Sequence, residues 1–127
     1  MKLVGIGIDL VDTARIRAAV EKHGEAFLNR VFTPGELAHC SPIRDPFPHY
    51  AARFAAKEAV GKALGTGIGS GISWQDIEIE SLPSGQPIVR LHGTAQRIAA
   101  GLGADSILLS LTHTDTAAAA SALAFGS

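Results

Sequence analysis

With 127 residues, 46% of them hydrophobic and 18% charged, the chain has the length and composition of one globular domain over residues 1–127 and not of a disordered chain. A formal net charge of −1 removes the basic field on which generic nucleic-acid binding rests, so no nucleic-acid partner is expected. The single cysteine, Cys40, forms no internal disulfide, and no Cys/His grouping has zinc-site spacing, so Cys40 reads as a structural thiol.

The opening run MKLVGIGIDLVD has too few apolar residues for a signal peptide and lacks a small-residue cleavage site. No stretch approaches the roughly 20 apolar residues of a membrane span, so no membrane partner and a cytoplasmic location are expected. Leu3 to Val11 reads as a strand that delivers Asp9 near its C-terminal end, with Asp12 and Thr13 starting a helix. ARIRAAVEKHG is that helix, with an apolar stripe of Ile16, Ala19 and Val20 and a stop at Gly24. VFTPGEL holds a capping box, in which Thr33 caps, Pro34 takes the first helical position and Glu36 reaches back. Three prolines make Ser41 to Tyr50 a loop. AARFAAKEAVGK then reads as a long helix ending near Gly65, and four glycines make Gly65 to Ser73 a flexible loop.

WQDIEIESL and PIVRLHG alternate as two strands around the PSGQ turn, a hairpin. TAQRIAAGLGA is a short helix, and Ser106 to Thr114 is a strongly β-type strand. TAAAASALAF has the composition of a helix, but HTDT before it suits a tight turn, and the preceding strand needs a partner, so a strand is expected. The architecture predicted is α+β: a mainly antiparallel sheet packed on one long helix.

Several charged residues stand out against this frame. On the long helix, Phe54, Glu58 and Lys62 share one side with Ala51 and Ala55, while Arg53 and Lys57 form the next row. The first side is expected to face the core. The spacing of Glu58 and Lys62 suits a surface ion pair, and it equally suits a site. Asp9, among apolar neighbours, is costly unless paired or bound to a cation. Two carboxylates from separate elements, Asp9 and Glu58, suit one magnesium ion completed by water and phosphate oxygens, with Arg53, Lys57 and Lys62 near the phosphates. His113, at the end of its strand, is either a turn histidine or a hydrogen-bond donor to a phosphate or a general base, with Asp115 beside it as turn residue or orienting group. GTGIGSG lacks the lysine and hydroxyl of a P-loop, GIGID is not a dinucleotide fingerprint, and no serine nucleophile elbow is present. These residues describe a domain that binds a divalent metal and a phosphate-containing ligand, and they do not name the reaction.

Three blocks in order, GIGIDLVD, RFAAKEAVGKALGTG and SLTHT, resemble the bacterial holo-[acyl-carrier-protein] synthases, the short class of 4′-phosphopantetheinyl transferases. VFTPGEL, W-x-D-I-E and G-x-P-x-V-x-L-x-G extend the resemblance over nearly the whole chain. Phe54 departs from a frequent tryptophan, and Thr112 before His113 from a frequent serine. The resemblance implies the fold of that family and transfer of 4′-phosphopantetheine from coenzyme A to a serine hydroxyl of acyl carrier protein, in fatty-acid biosynthesis, with release of adenosine 3′,5′-bisphosphate. It further implies Mg²⁺ on Asp9 and Glu58, Lys62 and His113 at the pyrophosphate, and Arg53 at the 3′-phosphate, with Gly65 and Gly85 as nucleotide contacts. It leaves three proton acceptors open: Glu58, a metal-bound water, or His113 with Asp115. Homotrimers with sites between subunits follow from it as well.

Between Arg15 and Arg30 the chain holds Arg15, Arg17, Lys22 and Arg30 against Glu21 and Glu25. By the resemblance, Arg15, Arg17 and Lys22 dock the acidic carrier, with a solvated helix face as the alternative. Two other functions remain: a non-catalytic coenzyme A or nucleotide binding module, and a structural oligomer domain.

Overall fold

A seventeen-residue helix runs through the middle of the molecule. The computed structural model describes Met1–Ser127. Its elements are β1 (Lys2–Asp12), α1 (Thr13–His23), α2 (Glu25–Val31), α3 (Pro34–Cys40), α4 (Phe47–Ala63), a 3-10 turn (Trp74–Asp76), β2 (Ile77–Ser81), β3 (Pro87–Leu91), α5 (Gly93–Leu102), β4 (Ser106–His113) and β5 (Ala117–Gly126). The α+β architecture is as expected, all strand pairings are antiparallel, and the strands divide between two sheets: β1-β5-β4 and β2-β3.

The alanine-rich final segment is a strand because it lies between β1 and β4 and pairs with both. Two full ladders outweigh a helix propensity of a few tenths of a kcal/mol per residue. Its alternate residues Ala118, Ala120, Ala122 and Ala124 are buried, while Ser121 is exposed. Alanine makes up half of the 24-residue hydrophobic core, so helix and sheet lie close together. On the β1 side the fit needs no Cβ at all. A Cβ built on Gly5 would sit 1.9 Å from the Ala63 carbonyl oxygen, and one on Gly7 would sit 1.9 Å from that of Ala59. Glycines two apart on a strand thus meet alanines four apart on a helix, which matches the periods of the two elements.

Three local expectations change. Helix α4 begins at Phe47, inside the segment read as a loop, because Pro48 sits in its first turn, where a missing N–H costs nothing. Asp12 takes the N-cap position of α1 without a side-chain bond, and the Thr13 N–H is satisfied instead by the Thr116 carbonyl at 2.9 Å. Segment 25–31, unassigned from the sequence, is the short helix α2. The capping box at Thr33 forms as expected, with Glu36 N donating to Thr33 Oγ1 at 3.2 Å and Thr33 N to Glu36 Oε1 at 2.8 Å.

The facing of α4 is the largest correction. The helix is enclosed on nearly all sides, and the side carrying Glu58 and Lys62 is its most open one. The row of Arg53 and Lys57 lies inside. Lys57 is fully buried, with Nζ 2.8 Å from Glu36 Oε1 and bonded to the Trp74 and Ile77 carbonyls. Glu36 Oε2 accepts from Ile79 N at 2.7 Å. Lys57 therefore joins α3, α4 and β2 and has no phosphate to face. Burial pushes the Lys57 ammonium below its usual range, and the Glu36 carboxylate opposes that shift.

Candidate functional site

The strand–helix seam brings the first group together. β1 carries Asp9 opposite Ala120, and its glycines let α4 approach closely enough to present Glu58 and Lys62 beside it. Lys62 Nζ donates to the Ile8 carbonyl at 2.9 Å and lies 3.2 Å from Asp9 Oδ1. The ion pair thus runs across to the strand, and the Glu58–Lys62 pair along the helix does not form. Glu58 is half-buried, and its carboxyl is held above the usual range, first by burial and then by the Asp9 carboxylate. The cations Lys62 and Arg15 oppose that shift. Two carboxylates with a lysine at hand form an open set for a hard divalent cation, which takes one or two protein carboxylates and completes its shell elsewhere. The like-charge pressure on Glu58 is what such a cation relieves. Gly65 follows at the end of α4 with φ 83°, and its N–H donates to the Lys62 carbonyl at 2.9 Å.

A second group lies toward the start of α4. Arg53 is 5% exposed; its Nη2 donates to Ser81 Oγ at 3.1 Å and its Nε has no acceptor. Ser81 ends β2, so Arg53 points to the hairpin whose turn holds Gly85 at φ 91°. His113 ends β4, with its ring edge-on to that of His49 at 5.1 Å. The turn after it is built by Thr114 Oγ1, which accepts from Thr116 N and Ala117 N, and Asp115 takes no part in those bonds.

The two groups do not meet in one chain. Asp9 and Leu111 both face Ala120 across the sheet, and His113 lies two residues beyond Leu111. At about 4.8 Å per strand and 3.4 Å per residue, the Cα atoms of Asp9 and His113 stand about 12 Å apart. Sequence reasoning missed His49, although it precedes Arg53 by four residues and so shares its helix face.

The expected docking cations also separate. Arg15 lies over the Phe54 ring at 5.2 Å and lines an open cleft of about 350 Å³ with Ile16, Phe27, Phe54, Trp74, His23 and Arg30. Arg17 points elsewhere, 4.2 Å over the Phe47 ring and 3.7 Å from Asp45. Lys22 stands exposed in the last turn of α1. Arg30 and His23 join the cleft because α2 folds back beside α1.

A glycine-bearing strand seated on an alanine-rich helix, with an acidic pair at their seam, makes this an α+β protein with a charged strand–helix site. The chain belongs to the 4′-phosphopantetheinyl transferase superfamily, whose sequence model matches residues 5–120. It is similar to the holo-[acyl-carrier-protein] synthase of Desulforudis audaxviator, 52% identical over 124 residues, covering 98% of this chain and 94% of that one. Among solved structures, it resembles the holo-[acyl-carrier-protein] synthase of Neisseria meningitidis with TM-score 0.88 and 34% identity, over 98% of this chain and 99% of that one. The Helicobacter pylori synthase in complex with coenzyme A matches with TM-score 0.84 and 33% identity, over 94% and 99%. The fold is therefore that of the 4′-phosphopantetheinyl transferases.

Proposed function

We propose that the chain transfers the 4′-phosphopantetheine group of coenzyme A to a serine hydroxyl of an acyl carrier protein, releasing adenosine 3′,5′-bisphosphate. The observation that carries this is the Asp9–Glu58 carboxylate pair beside Lys62 in a chain whose relatives are holo-[acyl-carrier-protein] synthases. In the reaction the serine oxygen bonds to the phosphorus that bears the pantetheine arm, and the bond from that phosphorus to the bisphosphate breaks. Such transfers depend on positioning and charge stabilisation. Lys62 faces the phosphate under attack. Its hydrogen bond to the Ile8 carbonyl keeps Nζ near the seam. Asp9 and Glu58 would hold Mg²⁺, which when bound supplies charge neutralisation at the pyrophosphate. The serine proton needs a base at the seam, and Glu58 is the carboxylate there that Lys62 does not pair with.

His113 and Arg53 take the remaining donor phosphates, with Gly65 and Gly85 beside the nucleotide. We infer that the complete site forms between two copies of the chain, with these groups reaching the donor from a neighbouring copy. The outward face of β1 supports this: Ile6, Ile8 and Leu10 are 68%, 70% and 71% exposed on either side of Asp9. A cytoplasmic homotrimer acting in fatty-acid biosynthesis is the assembly and setting we infer. The carrier docks at the cleft through Arg15, with Arg30 and the apolar lining, while Arg17 and Lys22 act from outside it.

Incubation with apo acyl carrier protein, coenzyme A and Mg²⁺, read by intact mass, tests the reading. One phosphopantetheine added to the carrier is the expected product. An unmodified carrier that a known synthase does modify refutes transfer, and coenzyme A binding without transfer leaves a non-catalytic binding module.

A further inference from the structure

His49 stands beside two of the proposed donor-site residues, Arg53 and His113. It lies one helical turn before Arg53 on α4, and its half-buried ring meets His113 edge-on, with centroids 5.1 Å apart and planes at 63°. The titratable groups facing it come from every neighbouring element: His39 from α3, Asp45 from the loop before α4, Arg53 from α4 and His113 from the end of β4. Asp45 is the one carboxylate among them, and it also faces Arg17 at 3.7 Å. Arg53 is 5% exposed with an unpartnered Nε. Two touching imidazoles beside a buried guanidinium with a spare N–H gather several ring and guanidinium nitrogens at one place, and the single carboxylate near them, Asp45, is shared with Arg17, which is the chemistry that receives a phosphate. Burial first, and then the neighbouring histidines and Arg53, hold the His49 imidazole below its ordinary range, so it stands neutral until an anion arrives.

We propose that His49 is a further binding residue of the donor site: with His113 and Arg53 it takes the phosphate monoester of the donor nucleotide, and it gains a proton from solution when that phosphate binds. This rests on coenzyme A being the donor. The phosphate monoester is the part of coenzyme A that can itself carry two charges, and a second charge is what favours an imidazolium over an imidazole. The step breaks no bond in the donor and moves one proton from solvent to an imidazole nitrogen.

Calorimetric titration of coenzyme A into the wild-type protein, His49→Phe and His49→Gln tests this, between pH 6.5 and 8.5 in two buffers of different ionisation heat. The phenylalanine keeps the ring packing on His113, and the glutamine keeps an N–H donor, so a fault in one variant leaves the other informative. The wild-type protein is expected to take up protons on binding and to bind more tightly as pH falls, by at most about tenfold per pH unit for one proton. Both variants lose part of that uptake and bind about 3- to 10-fold more weakly at pH 6.5. His49→Gln rejoins the wild type at pH 8.5. Dephospho-coenzyme A, which lacks the monoester, binds all three alike. Unchanged proton uptake and an unchanged pH profile in both variants overturn the proposal. A variant-dependent loss that persists with dephospho-coenzyme A overturns the assignment to the monoester. Failure of the wild-type protein to bind coenzyme A refutes the donor reading itself, a result distinct from either.

Discussion

Gly7→Ala isolates the contact on which the site geometry depends. The added Cβ would meet the Ala59 carbonyl oxygen at 1.9 Å, its carbon at 2.9 Å and Ala63 N at 2.8 Å, whereas real Cβ atoms essentially never come within 3.0 Å of such neighbours. Strand and helix must therefore part by more than an ångström. All three opposing atoms are main-chain, so no change of side chain at position 59 or 63 relieves the clash. Overpacking of this kind costs about 1–3 kcal/mol, occasionally more. For a chain of this size that lowers Tm by about 3–15 °C, and the urea midpoint by about 1 M. The same displacement moves Asp9, two residues on, away from Glu58, so transfer falls even where the variant remains folded. Gly101→Ala is the control. Gly101 is an exposed residue of α5, and a Cβ there meets nothing within 4 Å, so it should gain up to about 1 kcal/mol from helix propensity. Urea unfolding of both variants, with the double variant Gly7→Ala/Ala59→Gly, measures the difference. A wild-type midpoint for Gly7→Ala, or its rescue by Ala59→Gly, refutes the reasoning.

Lys57→Met leaves Glu36 buried beside apolar atoms and should cost about 3–5 kcal/mol, with part recovered in Lys57→Met/Glu36→Gln; additive losses in a urea double-mutant cycle contradict the pairing. Glu58→Gln removes a carboxylate that burial and Asp9 both disfavour, so in magnesium-free buffer its Tm should rise by about 2–5 °C while transfer is lost; a lower Tm or retained turnover argues against it. His39 and His49 are both held below the ordinary imidazole range, chiefly by burial. The unfolded chain then binds more protons between each lowered pKa and about 6.5, so stability is complete above that pH and falls as pH drops through the window. Urea midpoints at pH 7.5 and 5.5 should show the fall, and a smaller one in His49→Phe. Arg15→Glu should raise the KM for carrier, with an effect that weakens in salt, and should spare coenzyme A affinity. Equal effects from Arg17→Glu would remove the cleft as the docking point.

What could be read from the sequence follows the range over which each signal acts. Strand periodicity, the capping box at Thr33 and the hairpin at Gly85 are local, and all appear in the fold. The strand at Ala117–Gly126 required reasoning about a partner, since its own composition argues for helix. The facing of α4 is not legible because Ala51, Phe54 and Ala55 mark one side as the inner one, whereas small residues occur all round this helix and nearly every side of it is enclosed by two sheets and α1. There the buried lysine is satisfied by Glu36, 21 positions earlier, and by carbonyls 17 and 20 positions later. No local pattern announces that closure. The nearness of Asp9 to Glu58 was read from the need of two isolated carboxylates for one cation, while the distance from Asp9 to His113 depends on strand order, which no single segment encodes.

Half of the core residues are alanine, and this fixes the direction in which the protein is vulnerable to change. Cores are usually damaged by truncation, when a large side chain is cut back and a void is left. Here Ala51, Ala55, Ala59 and the four buried alanines of β5 offer one methyl group each to lose. Growth is what they cannot absorb, because helix and sheet are already spaced by single methyl groups and bare glycines. A saturation scan of α4 and β5 should therefore be lopsided, tolerant of glycine at several inner positions and intolerant of valine or leucine, the reverse of what a leucine-rich core records.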